Sequence, residues 1–145
     1  MLTYNNSIQF VKDEAPPVSL RNFFPPENGF IWSTSYWSDI TFAFSATPAD
    51  EIKAADFILE FDVFKMGGHV EGQNVLIYLN GLRVGSHYVT QRTTVVIRMD
   101  AALLEPTDNV LTFDTPDTRM PSEFGLPDER RLGVQLFSMQ IRPVT

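Results

Sequence analysis

The sequence of 145 residues contains no cysteine. Disulfide bonds, thiolate catalysis and cysteine-ligated zinc or iron–sulfur sites are therefore excluded. Long apolar runs are also missing, since none approaches the roughly 20 residues that a membrane-spanning helix needs. The opening residues, MLTYNNSIQFVKDE, have neither the basic nor the apolar segment of a secretory signal peptide. We therefore expect a cytoplasmic protein with no membrane insertion.

Positive charge is scarce as well. The sequence has 11 Lys and Arg residues against 18 Asp and Glu residues, which gives a net charge of −7. This charge repels the phosphates of nucleic acids and the head groups of anionic lipids, and no stripe of basic residues offsets it. Neither nucleic acid nor a membrane surface is an expected partner, whereas uncharged sugars and other proteins remain open.

Apolar residues are plentiful: they make up 43% of the chain, and twelve of them are Phe. This content supplies enough apolar area for one hydrophobic core, and the length suits one domain. We therefore expect a single domain over residues 1–145. Residues 1–19, which include a polar and proline-rich stretch, are expected to form an N-terminal arm or edge segment.

Alternation of apolar and polar residues is the main secondary-structure signal. In DITFAF, the side chains of Ile40, Phe42 and Phe44 share one face. In FILEFDVF, the apolar residues point one way, while Glu60 and Asp62 point the other way. A period of two residues is typical of a strand with one face in the core and one in water.

Two further segments, NVLIYL (74–79) and TTVVIRM (93–99), are apolar at both odd and even positions. This pattern predicts central strands that are covered on both faces. Asn80-Gly81 follows the first of them and is typical of a type I′ turn, in which both central residues have positive φ. NVLIYLNGLRVG is therefore predicted to be a β-hairpin.

The last predicted strand, LGVQLFSMQI, changes its alternation midway. Val134 and Leu136 share one face, whereas Phe137, Met139 and Ile141 share the other. A β-bulge near Leu136–Phe137 would turn both halves toward one core.

Helix signals are weak and short. TPADEIKAAD (47–56) offers Thr47 as an N-cap followed by Pro48, enough for one or two turns, and DAALLEP (100–106) is enough for a single turn. Strands separated by turn-rich loops dominate the rest of the chain. The predicted fold class is all-β, an antiparallel β-sandwich (jelly roll) of about seven to nine strands with at most one or two short helical turns.

The C-terminal third carries the most specific pattern, NVLTFDTPDTRMPSEFGLPDERRLGVQLFSMQI, which includes Asp128-x-Arg130-x-Leu132-Gly133. With NGFIWSTSYWSDITFAF and VLIYLNGLRV, it resembles small jelly-roll modules, similar to carbohydrate-binding modules, that accompany bacterial glycosyltransferases and other cell-envelope polysaccharide enzymes. The resemblance extends over residues 23–142. It implies a non-catalytic, carbohydrate-binding role linked to bacterial glycan synthesis or modification, with a glycan or a glycan-processing protein as partner.

Residues that suit a sugar-binding surface are aromatic or carry charged hydrogen-bonding groups. An aromatic ring can stack on the C–H face of a sugar, and carboxylates and guanidinium groups bind hydroxyls. Trp37 is expected to point out of the core because its position alternates with Ile40 and Phe42, whereas Trp32 is expected in the core. The predicted carbohydrate-binding residues are Trp37, Tyr88, Glu123, Asp128 and Arg130.

The Asp128–Arg130 segment has a second, structural interpretation. Arg130, or its neighbour Arg131, would pair with Asp128 or with backbone carbonyls and hold the long loop against the sandwich. Gly125 and Gly133 would then provide backbone geometry that other residues are denied. Both interpretations remain open from the sequence.

Catalytic and metal-binding patterns are weak. Ser86 and His87 are adjacent, so on a strand they face opposite sides and are poorly placed as nucleophile and base. His69 follows two glycines and has no partner histidine for a metal site. Oxygen atoms of the Asp114–Asp117 loop offer at most a structural calcium site. We therefore predict no enzyme activity, no cofactor and no catalytic metal.

A protein-interaction module without glycan affinity is the alternative function. Leu76 and Tyr78 form a second apolar face of their strand, opposite Val75, Ile77 and Leu79. Such a face could cover the same face of a second copy, which would make the protein a homodimer.

Overall fold

Two antiparallel five-stranded sheets stacked face to face form the body of the protein. The computed structural model describes residues 1–45 and 52–144. Its strands are β1 (Leu2–Thr3), β2 (Ile8–Gln9), β3 (Ser19–Arg21), β4 (Ile31–Trp32), β5 (Trp37–Phe42), β6 (Phe44–Ser45), β7 (Ala54–Val63), β8 (Gln73–Leu79), β9 (Leu82–Val89), β10 (Thr93–Asp100), β11 (Asn109–Asp114) and β12 (Val134–Val144). Two 3-10 helices span Ala101–Leu103 and Pro121–Phe124.

The strand order defines the two layers. One sheet has the order β3-β5-β11-β8-β9, and the other has the order β10-β7-β12-β2, with β4 also paired to β12. Outside these sheets, β1 and β6 form a short parallel pair. The seven strands of six or more residues are β5 and β7 to β12. The predicted all-β antiparallel sandwich with about seven to nine strands is confirmed.

The core lies between the sheets and follows the predicted alternation. Ile40 and Phe42 are buried from one sheet, and every second residue of β7 is buried from the other. Rings from the two sheets meet edge to face, as between Phe61 and Phe113, whose centroids are 6.1 Å apart. Each such buried ring contributes roughly 1.5–3 kcal/mol. Glu60 lies on the wet face, as predicted, and forms an ion pair with Arg92.

The β8–β9 connection is the predicted type I′ hairpin turn. Asn80 and Gly81 have φ values of 50° and 82°. The amide of Asn80 also ties the turn to β11, because its Oδ1 accepts a hydrogen bond from the Val110 N–H at 2.8 Å. Its Nδ2 donates to the carbonyl of Leu103 at 2.9 Å. The turn residue thus anchors the hairpin as well as shaping it.

The predicted bulge in β12 is confirmed. The register with β7 shifts between Leu136 and Ser138, so Phe137 is the extra residue. Leu136 on one side of the bulge and Met139 on the other are both buried. The prediction that Phe137 shares the core face with Met139 is wrong. Phe137 is half-buried on the outer face, where the Arg92 guanidinium lies 3.6 Å from its ring centroid.

Strands β8 and β10, which have apolar residues on both faces, were both predicted to be central. The prediction is right for β8 and wrong for β10. Strand β8 lies between β11 and β9, with Leu76 and Tyr78 half-buried on its outer face. Strand β10 is an edge strand, and the outward-facing Val96 is 58% exposed. Val favours the extended backbone whether or not it is buried. Val residues on both faces therefore indicate that a segment is a strand, but they do not indicate that the strand is central in its sheet.

The expected burial of Trp32 is also wrong. Ile31 is fully buried, whereas Trp32 is half-buried and lies opposite Gln135 of β12. Strand β4 has two residues and belongs to the other sheet from β5, so alternation counted back from Ile40 does not continue through the connecting residues.

Helical structure is as limited as predicted, but its placement differs in part. Ala101–Leu103 forms the expected single turn, and Asp100 caps it by accepting the Ala102 N–H at 2.9 Å. Thr47 and Pro48 lie outside the described residues, and Ala54–Asp56, predicted to end the first helix, belongs to β7. Within residues 1–45 and 52–144, no helix has the length and apolar character needed to cross a bilayer.

Candidate functional site

The outer face of the β3-β5-β11-β8-β9 sheet brings together two of the predicted sugar-binding residues. Strand register places Trp37 opposite Asp114, Asp114 opposite Leu76, and Leu76 opposite Ser86. Residues that alternate with these positions are buried in the core, so this row faces outward. We call this surface the platform; its members are Trp37, Asp39, Asn74, Leu76, Tyr78, Ser86, Tyr88, Thr112 and Asp114.

Two exposed aromatic rings mark opposite corners of the platform. Trp37 is 40% exposed on β5, and Tyr88 is 58% exposed on β9, opposite Asn74. Three inter-strand steps of about 4.8 Å and one two-residue step of about 6.8 Å separate them, so the residues are about 16 Å apart. Asp114 and the half-buried side chain of Leu76 lie between these corners, and Tyr78 lies one row farther from Tyr88, opposite Thr112.

Carboxylates provide hydrogen-bond acceptors beside the rings. Asp39 is half-buried, and its Oδ1 accepts a hydrogen bond from the Thr112 hydroxyl at 2.7 Å. Asp114 lies directly across from Trp37. On the other side of Trp37, the Arg21 guanidinium carbon lies 4.6 Å from the ring centroid. This cation–π contact holds the ring and covers part of one of its faces.

A recess of about 450 Å³ adjoins the platform beyond the first residue of β5 and the last residue of β11. We call this cavity the recess; it is lined by Tyr36, Pro116, Asp117, Thr118, Arg119, Glu123 and Arg131. Asp117 links it to the platform, because its Oδ2 accepts hydrogen bonds from the Asn74 backbone N–H at 2.8 Å and from Asn74 Nδ2 at 2.9 Å. Recess and platform therefore form one continuous surface.

Glu123, the third predicted sugar-binding residue, lies in the recess but is paired with a neighbour. Arg119 Nε donates to Glu123 Oε2 at 2.6 Å, and the Met120 N–H donates to Glu123 Oε1 at 3.2 Å. These two contacts, the arginine above all, lower the pKa of Glu123. The Arg119 guanidinium also lies 4.9 Å from the Phe124 ring centroid, and Phe124 stacks on His69. Glu123 thus holds the second 3-10 helix in place.

Asp128 and Arg130 form an ion pair with each other. Arg130 Nη2 lies 2.8 Å from Asp128 Oδ2, and the Arg130 N–H donates to Asp128 Oδ1 at 2.9 Å. These hydrogen bonds, led by the side-chain contact, lower the pKa of Asp128. Arg130 packs over the Phe24 ring at 5.2 Å, while the Asp128 carbonyl accepts the Ser122 N–H at 2.7 Å. This geometry favours the structural interpretation, in which the pair pins the loop.

The two loop glycines serve different purposes. Gly125 has φ of 91° at the end of the second 3-10 helix, which is the left-handed geometry expected from the sequence. Gly133 has no positive φ, so that expectation is wrong for it. A Cβ at Gly133 would lie 2.8 Å from Ser33 Oγ and 2.8 Å from Thr115 Oγ1. Gly133 is needed for close packing, because neighbouring side chains occupy the space that a methyl group would take.

Catalytic and metal-binding residues do not converge in the described part of the chain. Ser86 faces the platform, opposite Leu76, while its neighbour His87 lies opposite Val75 on the inner side, as the alternation predicted. Within residues 1–45 and 52–144, no three His, Asp or Glu side chains are arranged to hold a metal ion. In the Asp114–Asp117 loop, Asp117 is instead held by Asn74.

A cavity of about 800 Å³ lies at the opposite end of the sandwich, between Tyr4, Ile52 and Leu104. The Asp100 carboxylate in its lining caps a helix. We assign no site to this cavity.

Several residues of the surface were not predicted as site residues. Asp39 and Thr112 follow the alternation that identified Trp37, so the same signal would have found them. Asp117 was considered only as part of a calcium-binding loop, and Arg131 only as a residue that holds the loop. No local signal places the two in one recess, because their positions depend on contacts with residues that are distant in sequence. The Arg131 guanidinium, for example, lies 4.7 Å from the ring centroid of Tyr36.

Comparison with known proteins bears on the fold. No protein-family model and no curated protein matches the sequence. Among solved structures, the CBM22-1 xylan-binding domain from Paenibacillus barcinonensis has a TM-score of 0.55 at 12% identity, covering 97% of this chain and 94% of that one. A family 35 carbohydrate-binding module from an environmental isolate has a TM-score of 0.50 at 12% identity, covering 96% and 97%. The GH26-CBM35 β-(1,4)-mannanase from Podospora anserina has a TM-score of 0.50 at 10% identity, covering 97% of this chain and 28% of that one. The chain therefore has the jelly-roll fold of carbohydrate-binding modules.

Proposed function

We propose that this protein is a non-catalytic carbohydrate-binding module that holds a glycan chain across the platform. The observation that carries the proposal is that Trp37 and Tyr88 are exposed on one sheet face; strand spacing places their backbone positions about 16 Å apart. Half-buried Leu76 lies between them, Asp114 offers a carboxylate, and Tyr78 extends the apolar surface on the side of Thr112. The Paenibacillus domain of similar fold is described as xylan-binding, which supports this proposal.

The physical basis is stacking of sugar C–H faces on aromatic rings. The rings sit on paired strands, so little conformational entropy is lost when a ligand binds. Arg21 covers part of one face of Trp37, and the residue is still 40% exposed, so a sugar can reach the ring. A polar ligand offers little apolar area, so we expect dissociation constants in the millimolar to micromolar range.

The setting of this module is bacterial glycan synthesis or modification, and its partners are a glycan and the enzyme that processes it. The resemblance of residues 23–142 to modules that accompany glycosyltransferases supports this assignment. The proposed role is non-catalytic because the platform carboxylates serve as acceptors. Asp39 already accepts a hydrogen bond from the Thr112 hydroxyl, and both residues lie on the outer face of the sheet.

Substitution of the two rings tests the proposal. A glycan array identifies the ligand, and isothermal titration then measures its affinity for the wild type, Trp37→Ala and Tyr88→Ala. Each substitution is expected to lower affinity at least tenfold, because it removes stacking worth about 1 kcal/mol and the apolar area of the ring. Val96→Ala is the matched control, since Val96 is as exposed as Tyr88 but lies on the other sheet. An array without any hit, or unchanged affinity in both ring variants, would contradict the proposal.

A homodimer without glycan affinity is the second candidate. The outward position of Leu76 and Tyr78 on the platform favours it, because a second copy could cover these side chains. Sedimentation velocity of the free protein discriminates between the two candidates. A dimer that dissociates on Leu76→Lys substitution would support the second, whereas a monomer across the accessible concentration range would exclude it.

A further inference from the structure

We infer that the recess is a separate sugar subsite, in which Asp117 and Arg131 together bind neighbouring hydroxyls of an uncharged sugar. This inference rests on the proposed glycan-binding function and names the residues that give it specificity. It starts from two opposite charges that line the same cavity without pairing.

Six of the eleven Lys and Arg residues, Arg131 among them, form no ion pair within the described part of the chain. The other five form ion pairs within residues 1–45 and 52–144: Lys65 with Asp62, Arg92 with Glu60, Arg98 with Asp56, Arg119 with Glu123, and Arg130 with Asp128. In residues 1–45 and 52–144, Arg131 has no carboxylate partner within 4 Å, although Asp117 lines the same recess.

Both groups are held in place by other contacts. Arg131 Nη1 donates to the Thr118 carbonyl at 2.9 Å, and the guanidinium stacks over Tyr36 with 4.7 Å to the ring centroid. Asp117 Oδ2 is held by two N–H groups of Asn74. Within the described residues, Arg131 Nε and Nη2 and Asp117 Oδ1 form no hydrogen bonds. Two residues that line one cavity thus retain donors and an acceptor without a partner in the described part of the chain.

The ligand chemistry follows from these free groups. A sugar hydroxyl can donate to Asp117 Oδ1 while its neighbour accepts from Arg131, so adjacent hydroxyls satisfy both charges without closing the recess. The charges of Asp117, Arg119, Glu123 and Arg131 sum to zero, and the whole chain carries −7. An anionic sugar would meet the unpaired carboxylate of Asp117 and a negative protein. The geometry therefore favours neutral sugars.

Nuclear magnetic resonance of the ¹⁵N-labelled full chain follows both parts of the surface in one titration. The Arg131 Nε–H signal reports on the recess, and the Trp37 indole N–H signal reports on the platform. The probes are xylohexaose and mannohexaose, with oligogalacturonate as the acidic probe. We expect at least one neutral probe to shift both signals and oligogalacturonate to shift neither.

The combinations of outcomes separate the two hypotheses. A Trp37 response without an Arg131 response overturns the recess subsite and leaves the platform proposal intact. An Arg131 response without a Trp37 response overturns the platform and retains the recess. Tighter binding of oligogalacturonate at Arg131 overturns the neutral-sugar assignment, and no response to any probe overturns both.

Substitutions then measure the contribution of each group. Asp117→Asn is nearly isosteric and retains an acceptor for Asn74, and Arg131→Lys retains the positive charge. Each is expected to lower affinity for the neutral probe about tenfold, since each weakens a hydrogen bond to a charged group. Because both groups hold one sugar, the double variant should lose less than the product of the single losses. Glu129→Gln, an exposed acid of the same loop, is the matched control. Affinity of Asp117→Asn equal to that of this control would overturn the inference.

Discussion

A methyl group added at Gly133 would enter a space that three side chains already occupy. Its Cβ would lie 2.8 Å from Ser33 Oγ, 2.8 Å from Thr115 Oγ1 and 2.9 Å from Thr118 Cγ2. Ser33 and Thr115 are fully buried, so neither can move into solvent. Gly133→Ala therefore forces the base of the 115–133 loop away from the sandwich.

The size of the effect follows from two costs. Overpacking of a dense interior costs roughly 1–3 kcal/mol. Ser33 Oγ accepts the buried N–H of Val134 at 2.8 Å, and displacing this hydroxyl leaves that N–H unsatisfied. The second cost is about 1 kcal/mol or more. We expect Gly133→Ala to lower the free energy of unfolding by about 2–4 kcal/mol.

Chemical denaturation monitored by tryptophan fluorescence measures this free energy. In thermal unfolding, the midpoint temperature of a chain of this size should fall by roughly 5–15 °C. Gly67→Ala is the matched control, because a Cβ there has no neighbour within 4 Å and its φ is not positive. Its unfolding free energy should stay within about 0.5 kcal/mol of the wild type. If Gly133→Ala were as stable as Gly67→Ala, the close-packing explanation for Gly133 would be refuted.

Two further predictions concern stability. Gly81→Ala places a side chain at φ of 82°, so it should lower the free energy of unfolding by about 1–2 kcal/mol, measured by urea denaturation against Gly67→Ala. Hydrogen bonds from arginine side chains lower the pKa values of Asp56, Glu123 and Asp128. A carboxylate whose pKa is lower in the folded state stabilises the folded protein at pH values above its unfolded-state pKa. This stabilisation is lost as the pH falls through the folded-state pKa. Stability should therefore decline below the ordinary pKa values of 3.8 to 4.5, and Asp128→Asn should reduce that decline; a parallel pH profile for this variant would contradict the assignment.

Part of the candidate surface followed from local pattern. Trp37 alternates with buried residues along one strand, and its outward position depends only on the pleat of that strand. The Asp128–Arg130 pair joins residues two apart, so one of its two sequence-based interpretations already contained the observed contact. Trp32 shows the limit of this method, because alternation cannot be counted across a break between strands of different sheets.

The recess required the folded chain. Asn74 and Asp117 are 43 residues apart in sequence, and Ser33 and Val134 are 101 apart. Their contacts depend on which strands end together and how the long loop returns to the sandwich. A residue such as Arg131 has many possible partners in a sequence with 18 acidic residues, and only packing against Tyr36 and Thr118 selects its position.

By itself, the sequence determined the two-layered β architecture, the Asn80-Gly81 turn and the bulge in the last strand. These features arise from the conformational preferences of neighbouring residues and from the two-residue period of an extended backbone. Tertiary structure alone decided the edge position of β10, the reason for a glycine at 133, and the unpaired charges of the recess. Those features depend on the space and the partners that distant parts of the chain provide, and local preference carries no information about either.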